Sequence, residues 1–296
     1  MKNSYVVLVS GASTGFGRLL VETLARRGHT VFASMRGIDG RNAAAASELS
    51  ALASTERLAI RPIEMDVTDD ASVNAAIEQV MTEAGRLDVV VNNAGGIAFG
   101  LLETFSEERV RGILELNLFG SMRVNRAALP ILRAQGSGLL VQVTSAGGRY
   151  VVPFFGPYTI AKFAAEAMAE TYRYELAREG IDSVVVEPGG YGTSLAKNAV
   201  RADDDARVQS YGRGKELLDL AARAMTAVAS TGNPQEVADA ITALIEAPAG
   251  TRRLRTVVGE LAKPLLEPFN ASAERIQADR LLALGLTEML SLRLVP

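Results

Sequence analysis

Tyr158 and Lys162 stand four residues apart, and Ser145 precedes the tyrosine by thirteen. On a helix, positions i and i+4 share a face, which sets the lysine ammonium beside the phenol. A free tyrosine titrates near pH ~10 and is a poor acid or base at neutrality. A fixed cation next to it favours the phenolate, each unit of lowering being worth roughly 1.4 kcal/mol. A serine hydroxyl brought in from a separate turn would hold a carbonyl oxygen against that phenol. The three groups form a constellation for moving a proton onto or off an alcohol oxygen. A tyrosine–lysine pair at this spacing also arises on plain exposed helices, so the elements that carry it decide its meaning.

The chain of 296 residues has room for one large domain or two modest ones, and for a sizeable core. Hydrophobic residues make up 48% and charged residues 22%, the balance of a soluble globular protein. The absence of cysteine rules out disulfides and thiolate metal sites and fits a reducing cytosol. The single histidine, His29, falls in the turn Arg26-Arg27-Gly28-His29, so it is read as a loop residue and no metal site is expected. A net charge of −3 offers no general attraction to phosphate polymers, and the lack of tryptophan argues against a base-stacking platform. Nucleic acid is therefore not an expected partner. No run approaches the ~20 apolar residues that cross a bilayer. The N-terminus Met1-Lys2-Asn3-Ser4 leads into an apolar run too short for a secretory signal core. A cytoplasmic protein without a membrane partner is the expectation.

Valine- and isoleucine-rich runs of strand length lie at Tyr5–Ser10, Thr30–Ser34, Leu58–Met65, Leu87–Asn92, Leu139–Thr144 and Ser183–Glu187. Helical patterns near 16–27, 40–53, 70–84, 106–134 and 158–179 separate them. This alternation predicts an α/β fold, a parallel sheet with helices on both faces. Strands that are apolar throughout suit a sheet covered on both sides. Residues 191–214, with the acidic run Asp203-Asp204-Asp205, read as a mobile loop or short helices, the acids facing solvent. Helical patterns resume near 215–229 and 235–246, Arg255–Val258 suits a last strand, and 260–296 reads as a helical tail, amphipathic over Ala273–Leu292.

The first strand runs into Ser10-Gly11-Ala12-Ser13-Thr14-Gly15-Phe16-Gly17 and a helix follows at once. A glycine turn here lets backbone amides and the positive helix end face a pyrophosphate. The second strand ends Phe32-Ala33-Ser34-Met35-Arg36-Gly37, without the carboxylate that would hold a ribose 2′-hydroxyl. Arg36 instead suits a 2′-phosphate, which a guanidinium binds in a bidentate way. NADP(H) is the expected cofactor, with Ser13 and Thr14 adding hydroxyl contacts; the other reading of Arg36 is a surface arginine.

Taken in order, these pieces resemble the classical short-chain dehydrogenase/reductase family over roughly residues 4–195. Ser10 stands where the family's glycine motif usually has threonine. Asp66-Val67 matches the position that binds adenine, and Asn92-Asn93-Ala94-Gly95 the motif that supports the sheet and lines the cofactor cleft. Asn117 matches the asparagine that bends the next long helix and holds a water near the lysine. Ser145, Tyr158 and Lys162 match the catalytic serine, tyrosine and lysine. Pro188-Gly189 follows the sixth strand, with Thr193 placed for the nicotinamide carboxamide. The resemblance implies a Rossmann-type doubly wound sheet of about seven strands in the order 3-2-1-4-5-6-7. It also implies one catalytic domain over residues 1–259 with the 260–296 extension packed on it.

The resemblance further implies reduction of a ketone or aldehyde by NADPH, or oxidation of an alcohol, with Tyr158 as general acid or base. The alternatives are an NAD(P)-dependent alcohol, sugar or hydroxysteroid dehydrogenase, and a redox sensor that binds NADPH without turnover. Tyr150, Val151, Val152, Phe154 and Phe155 either pack beneath their loop or line an apolar pocket for a small-molecule carbonyl or alcohol. Ser145-Ala146-Gly147-Gly148 and the stretch from Tyr158 to Glu166 look like the hydroxysteroid and retinol branch of the family. Arg149 is read as a surface residue or as a contact for an anionic substrate group, and 191–214 as the lid. The helices at 106–134 and 158–179 resemble surfaces that pair in family dimers, so a homodimer or homotetramer is expected.

Overall fold

The computed structural model describes residues 4–192, 198–229 and 232–294. Seven strands form one parallel sheet: β1 (Val6–Val9), β2 (Thr30–Met35), β3 (Ile60–Glu64), β4 (Val89–Asn92), β5 (Gly138–Val143), β6 (Ile181–Pro188) and β7 (Arg255–Val258). Their order is β3-β2-β1-β4-β5-β6-β7, as expected from the sequence. Successive side chains of a strand point to opposite faces. In β1, Val7 and Val9 join one apolar layer with Leu20, Leu24, Leu49, Ile241 and Ile245. Val6 and Leu8 join the other, with Val73, Val80, Leu132 and Leu140. Both faces are covered, which is why the strands read as unbroken apolar runs.

The first layer is supplied by α1 (Gly15–Arg26), α2 (Ala43–Glu56) and, later in the chain, α9 (Gln235–Glu246). The second rests on α3 (Asp70–Ala84), α5 (Gly120–Gln135) and the end of α6 (Gly156–Glu175). Asp69 starts α3 by accepting the amides of Ala71 and Ser72. The single helix expected over 106–134 is α4 (Glu107–Leu114) and α5 joined by a π-helical turn, Glu115–Phe119. One extra residue turns the apolar stripe by about 100°, but a single five-residue turn is too short for that break to stand out between the flanking patterns.

Beyond β6 the chain makes a short parallel ladder, Val200–Arg201 on Ala98–Phe99, then α7 (Asp205–Ser210) and α8 (Arg213–Ala229). The acidic run is not merely solvated. Asp203 accepts the amide and hydroxyl of Ser106, the residue that caps α4, and Asp204 caps α7. After β7, α10 (Lys263–Ala283) sets Leu266 against Ala146 and Val257. Among the described residues, no helix is long and apolar enough to cross a membrane, and no group of metal-ligating side chains occurs.

Candidate active site

The carboxyl ends of β1, β4, β5 and β6 face one crevice, where the strand order reverses between β1 and β4. The loop after β1 is anchored there by Ser10, whose hydroxyl accepts the amides of Asn93 and Ala94. Asn93 returns its side-chain amide to the carbonyls of Ser10 and Gly11. Gly11 has φ +68°, and a Cβ there would come 2.8 Å from Ala94 Cα. A Cβ on Gly17 would meet the Gly11 carbonyl oxygen at 2.4 Å. Ala94 is thus the close neighbour of the turn, and the spacing of the glycines follows from how closely it approaches β4. Gly15 and Phe16 open α1 together with Gly17, Thr14 gives no side-chain cap, and the first turn carries no acid. An uncapped helix start of this kind fits a pyrophosphate. Ser13 and Thr14 lie in the same turn.

Arg36 follows β2 with its guanidinium about half exposed and 4.0 Å from Asp66. The Asp66 carboxylate itself accepts the amide and hydroxyl of Thr68. Partial burial works against its charge, yet the Thr68 bonds and nearby Arg36 and Arg123 hold the acid below its usual range. Val67 is buried next to it against Gly120. Pro188 ends β6, and the Gly189 amide donates to Val258. Thr193 lies outside the described residues.

Asn117 is buried in the π-helical turn. Its amide donates to the carbonyls of Ile113 and Gly96, and its Oδ1 accepts the Gly96 amide. A Cβ on Gly95 would lie 2.7 Å from Asn117 Oδ1 and 3.6 Å from Lys162 Nζ, so the asparagine and the lysine flank this glycine together.

Tyr158 and Lys162 sit on the buried face of α6, 9% and 5% exposed. Lys162 Nζ donates to the Val143 carbonyl at 3.1 Å and lies 5.7 Å from the centre of the Tyr158 ring. Ser145 follows β5, its hydroxyl accepts the Gly147 amide, and it lies close enough to the phenol to affect its charge. Burial pushes Tyr158 up, and Ser145 pulls it partly back. Burial likewise pushes Lys162 down to about 8, with Glu166 acting in the opposite direction. The sequence suggests a phenol lowered by its ammonium neighbour. Here the same burial that brings the two together strips both of water, and that effect is the larger.

Of the apolar stretch before Tyr158, Tyr150 and Val151 face solvent. Val152, Phe154 and Phe155 instead pack around Tyr158 with Ile97, Phe99 and, from α8, Leu218, Ala221 and Ala222. The α8 contribution carries no local signal in the sequence. Arg149 is not a surface residue: it is largely buried, donates to Asn270 and stacks over Phe269. His29 is also buried, stacked on Tyr5 and accepting its amide. Glu166 has no role in the motif match, yet it continues the i, i+4 series of Tyr158 and Lys162 on the same helix face.

A family model described as short chain dehydrogenase matches residues 5–204. The chain is 32% identical to 3-ketodihydrosphingosine reductase of Bacteroides thetaiotaomicron, over 65% of this chain and 66% of that protein. It is 32% identical to human 17-beta-hydroxysteroid dehydrogenase type 1, over 88% of this chain and 79% of that one. Among solved structures, a short-chain dehydrogenase from Streptomyces avermitilis superposes with a TM-score of 0.74 at 29% identity, covering 96% of this chain and 98% of its own. With its seven-stranded sheet, its glycine turn and the matched residues together, the chain belongs to the short-chain dehydrogenase/reductase family of oxidoreductases.

Proposed function

We propose that this protein is an NADPH-dependent reductase of a hydrophobic ketone or aldehyde, working also in reverse on the alcohol. The observation that carries the reading is the buried pair Tyr158 and Lys162 with partly buried Ser145 at the strand ends, at the same sheet edge as the uncapped start of α1. The residues present suit the cofactor. The α1 turn would hold the pyrophosphate, Asp66 and Val67 the adenine side, Arg36 the 2′-phosphate, and Lys162 the nicotinamide ribose. Asn93, Ala94, Gly95, Pro188, Gly189 and Thr193 would line the nicotinamide end. When bound, NADPH supplies the hydride. Tyr158 gives its proton to the carbonyl oxygen, which Ser145 orients and polarises by hydrogen bonding. A buried phenol of raised pKa stays protonated at neutral pH, the state that a reductase needs in its acid. Asn117 holds the loop around Gly95 and Gly96 against which the Lys162 amine lies, and would anchor the water that returns the proton.

An apolar substrate is supported by Val152, Phe154, Phe155 and Leu218 around the phenol. The two relatives named above are, by their names, a ketosphingoid reductase and a hydroxysteroid dehydrogenase. Exposed Phe119 and Met122, with Ile160 and Phe163 on α6, favour self-association through these helices. Tyr158→Phe is expected to bind NADPH as the native chain does, read by cofactor fluorescence. Its turnover on a ketone panel, followed at 340 nm, should fall by at least ~10²-fold. Full turnover in that variant would refute the assignment.

A further inference from the structure

Behind the catalytic helix lies a buried group of charges that the reaction above does not use. Glu166 follows Lys162 by one helical turn, and both are almost wholly buried. Glu166 Oε1 accepts the Thr144 hydroxyl at 2.5 Å, and Oε2 accepts Arg255 Nε from β7 at 3.0 Å. Thr144 immediately precedes Ser145, while the Lys162 ammonium bonds Val143. Two successive residues before the serine are thus held from one face of α6.

The charges that face Glu166 come from every packed element. Besides Lys162 and Glu170 on α6 there are Arg255 on β7, Glu187 on β6, Arg149 in the turn after β5 and Glu274 on α10. Two carboxyls so close in a dry space do not both ionise readily. Burial, then the charge of Glu166, push Glu187 up to about 7; burial raises Glu166 too, but there Arg255 and the Thr144 hydroxyl pull back toward the ionised form. Glu166 has the shorter contact to Arg255, 3.0 Å against 3.5 Å, together with a hydroxyl donor.

We propose that Glu166 is a positioning residue for Lys162 and Ser145: ionised against Arg255, it places a buried anion one turn from the lysine ammonium. Through Thr144 it also fixes the strand end from which the serine projects. The inference rests on the roles given above to Ser145 and Lys162. Without this anion the ammonium would be left buried beside a carbonyl, and would give up its proton more readily.

The chain has five lysines, Lys2, Lys162, Lys197, Lys215 and Lys263, so each can be followed by NMR after labelling with 13Cε-lysine. Assigned with Lys162→Arg, the Lys162 signal should titrate lower in Glu166→Gln by about one unit, the effect of losing a nearby opposite charge. Arg255→Met should move it the same way, because Glu166 then takes up a proton. Thr144→Val should lower kcat with the KM for NADPH unchanged, and Thr144→Ser should restore it. A native Lys162 titration in Glu166→Gln, or native kcat in Thr144→Val, overturns the proposal. Should Glu166→Gln fail to fold, Glu166→Asp decides: it keeps the charge, so Lys162 should titrate as in the native chain while kcat falls, and an unchanged kcat overturns the proposal. The titration needs no substrate. An active Tyr158→Phe would therefore remove the assigned reaction, whereas an inactive Tyr158→Phe beside an unshifted lysine would remove Glu166 alone.

Discussion

Arg36 illustrates how one side chain is freed for a task by its neighbours. Its carbonyl accepts the Asn42 amide, and the acid at the end of β3, Glu64, is occupied by the amides of Gly37 and Ile38. Among the described residues the guanidinium meets Asp66, at 4.0 Å, a contact of little worth at such exposure. A bidentate phosphate contact is a charge-assisted bond worth about 1.5–3 kcal/mol, or roughly 10- to 100-fold in affinity. Arg36→Ala is therefore expected to raise the KM for NADPH by about tenfold or more and to leave that for NADH nearly unchanged. Equal effects on both cofactors in steady-state kinetics would count against a 2′-phosphate site. The identity of Arg36 and its place after a strand were legible in the sequence. The pairing of Glu64 with two amides was not, because it joins positions 27 and 26 residues apart.

Elements decide where a small residue is required. Gly17 and Gly112 both lie in helices, but only the first is crowded. A Cβ on Gly17 would be 2.4 Å from the Gly11 carbonyl oxygen and 2.6 Å from Asn93 Nδ2, whereas one on Gly112 would meet nothing within 4 Å. Backbone cannot give way cheaply, so Gly17→Ala should cost about 1–3 kcal/mol in urea unfolding and weaken NADPH binding. Gly112→Ala in α4 should instead stabilise by up to ~1 kcal/mol. If the two variants unfolded alike, the close approach of the turn to β4 would not be what demands glycine. The glycine spacing and the strand-to-helix turn could be read directly from the chain. The bend at Asn117 came only through the family resemblance, without its π-helical form, and α6 starts at Gly156, slightly before the expected position, as helix ends often do.

At the scale of the molecule, buried charge ties the last strand and helix to the catalytic helix. Asn270 of α10 donates to Glu187 and accepts from Arg149, and Arg255 of β7 meets Glu166 and Glu170. Glu187 carries a testable pH dependence. Its folded pKa is raised from the ordinary 4.5 to about 7, so between those values the folded chain keeps a proton that the unfolded chain has lost. Stability from this group is then present at low pH and is lost as pH rises through the window, by at most about 1.4 kcal/mol per pH unit. Urea unfolding of Glu187→Gln should show a flatter profile between pH 4.5 and 7 than the native chain. An identical slope in both would mean that Glu187 is ionised throughout.

What the amino-acid order determined by itself is what short range can encode: apolar runs of strand length, a glycine turn, and a tyrosine and lysine one helical turn apart. These depend on residues a few positions from one another; they gave the alternating α/β pattern, while the strand order came through the family resemblance and is the one observed. Tertiary structure alone decided which of those groups lost their water and which charges they met. Arg149 finds Asn270 across 121 positions, Arg255 finds Glu166 across 89, and α8 packs at the phenol although it follows β6 in the chain. Desolvation is a property of everything packed around a group. The raised phenol of Tyr158 and the lowered ammonium of Lys162 therefore follow from the assembled layers and from no local pattern.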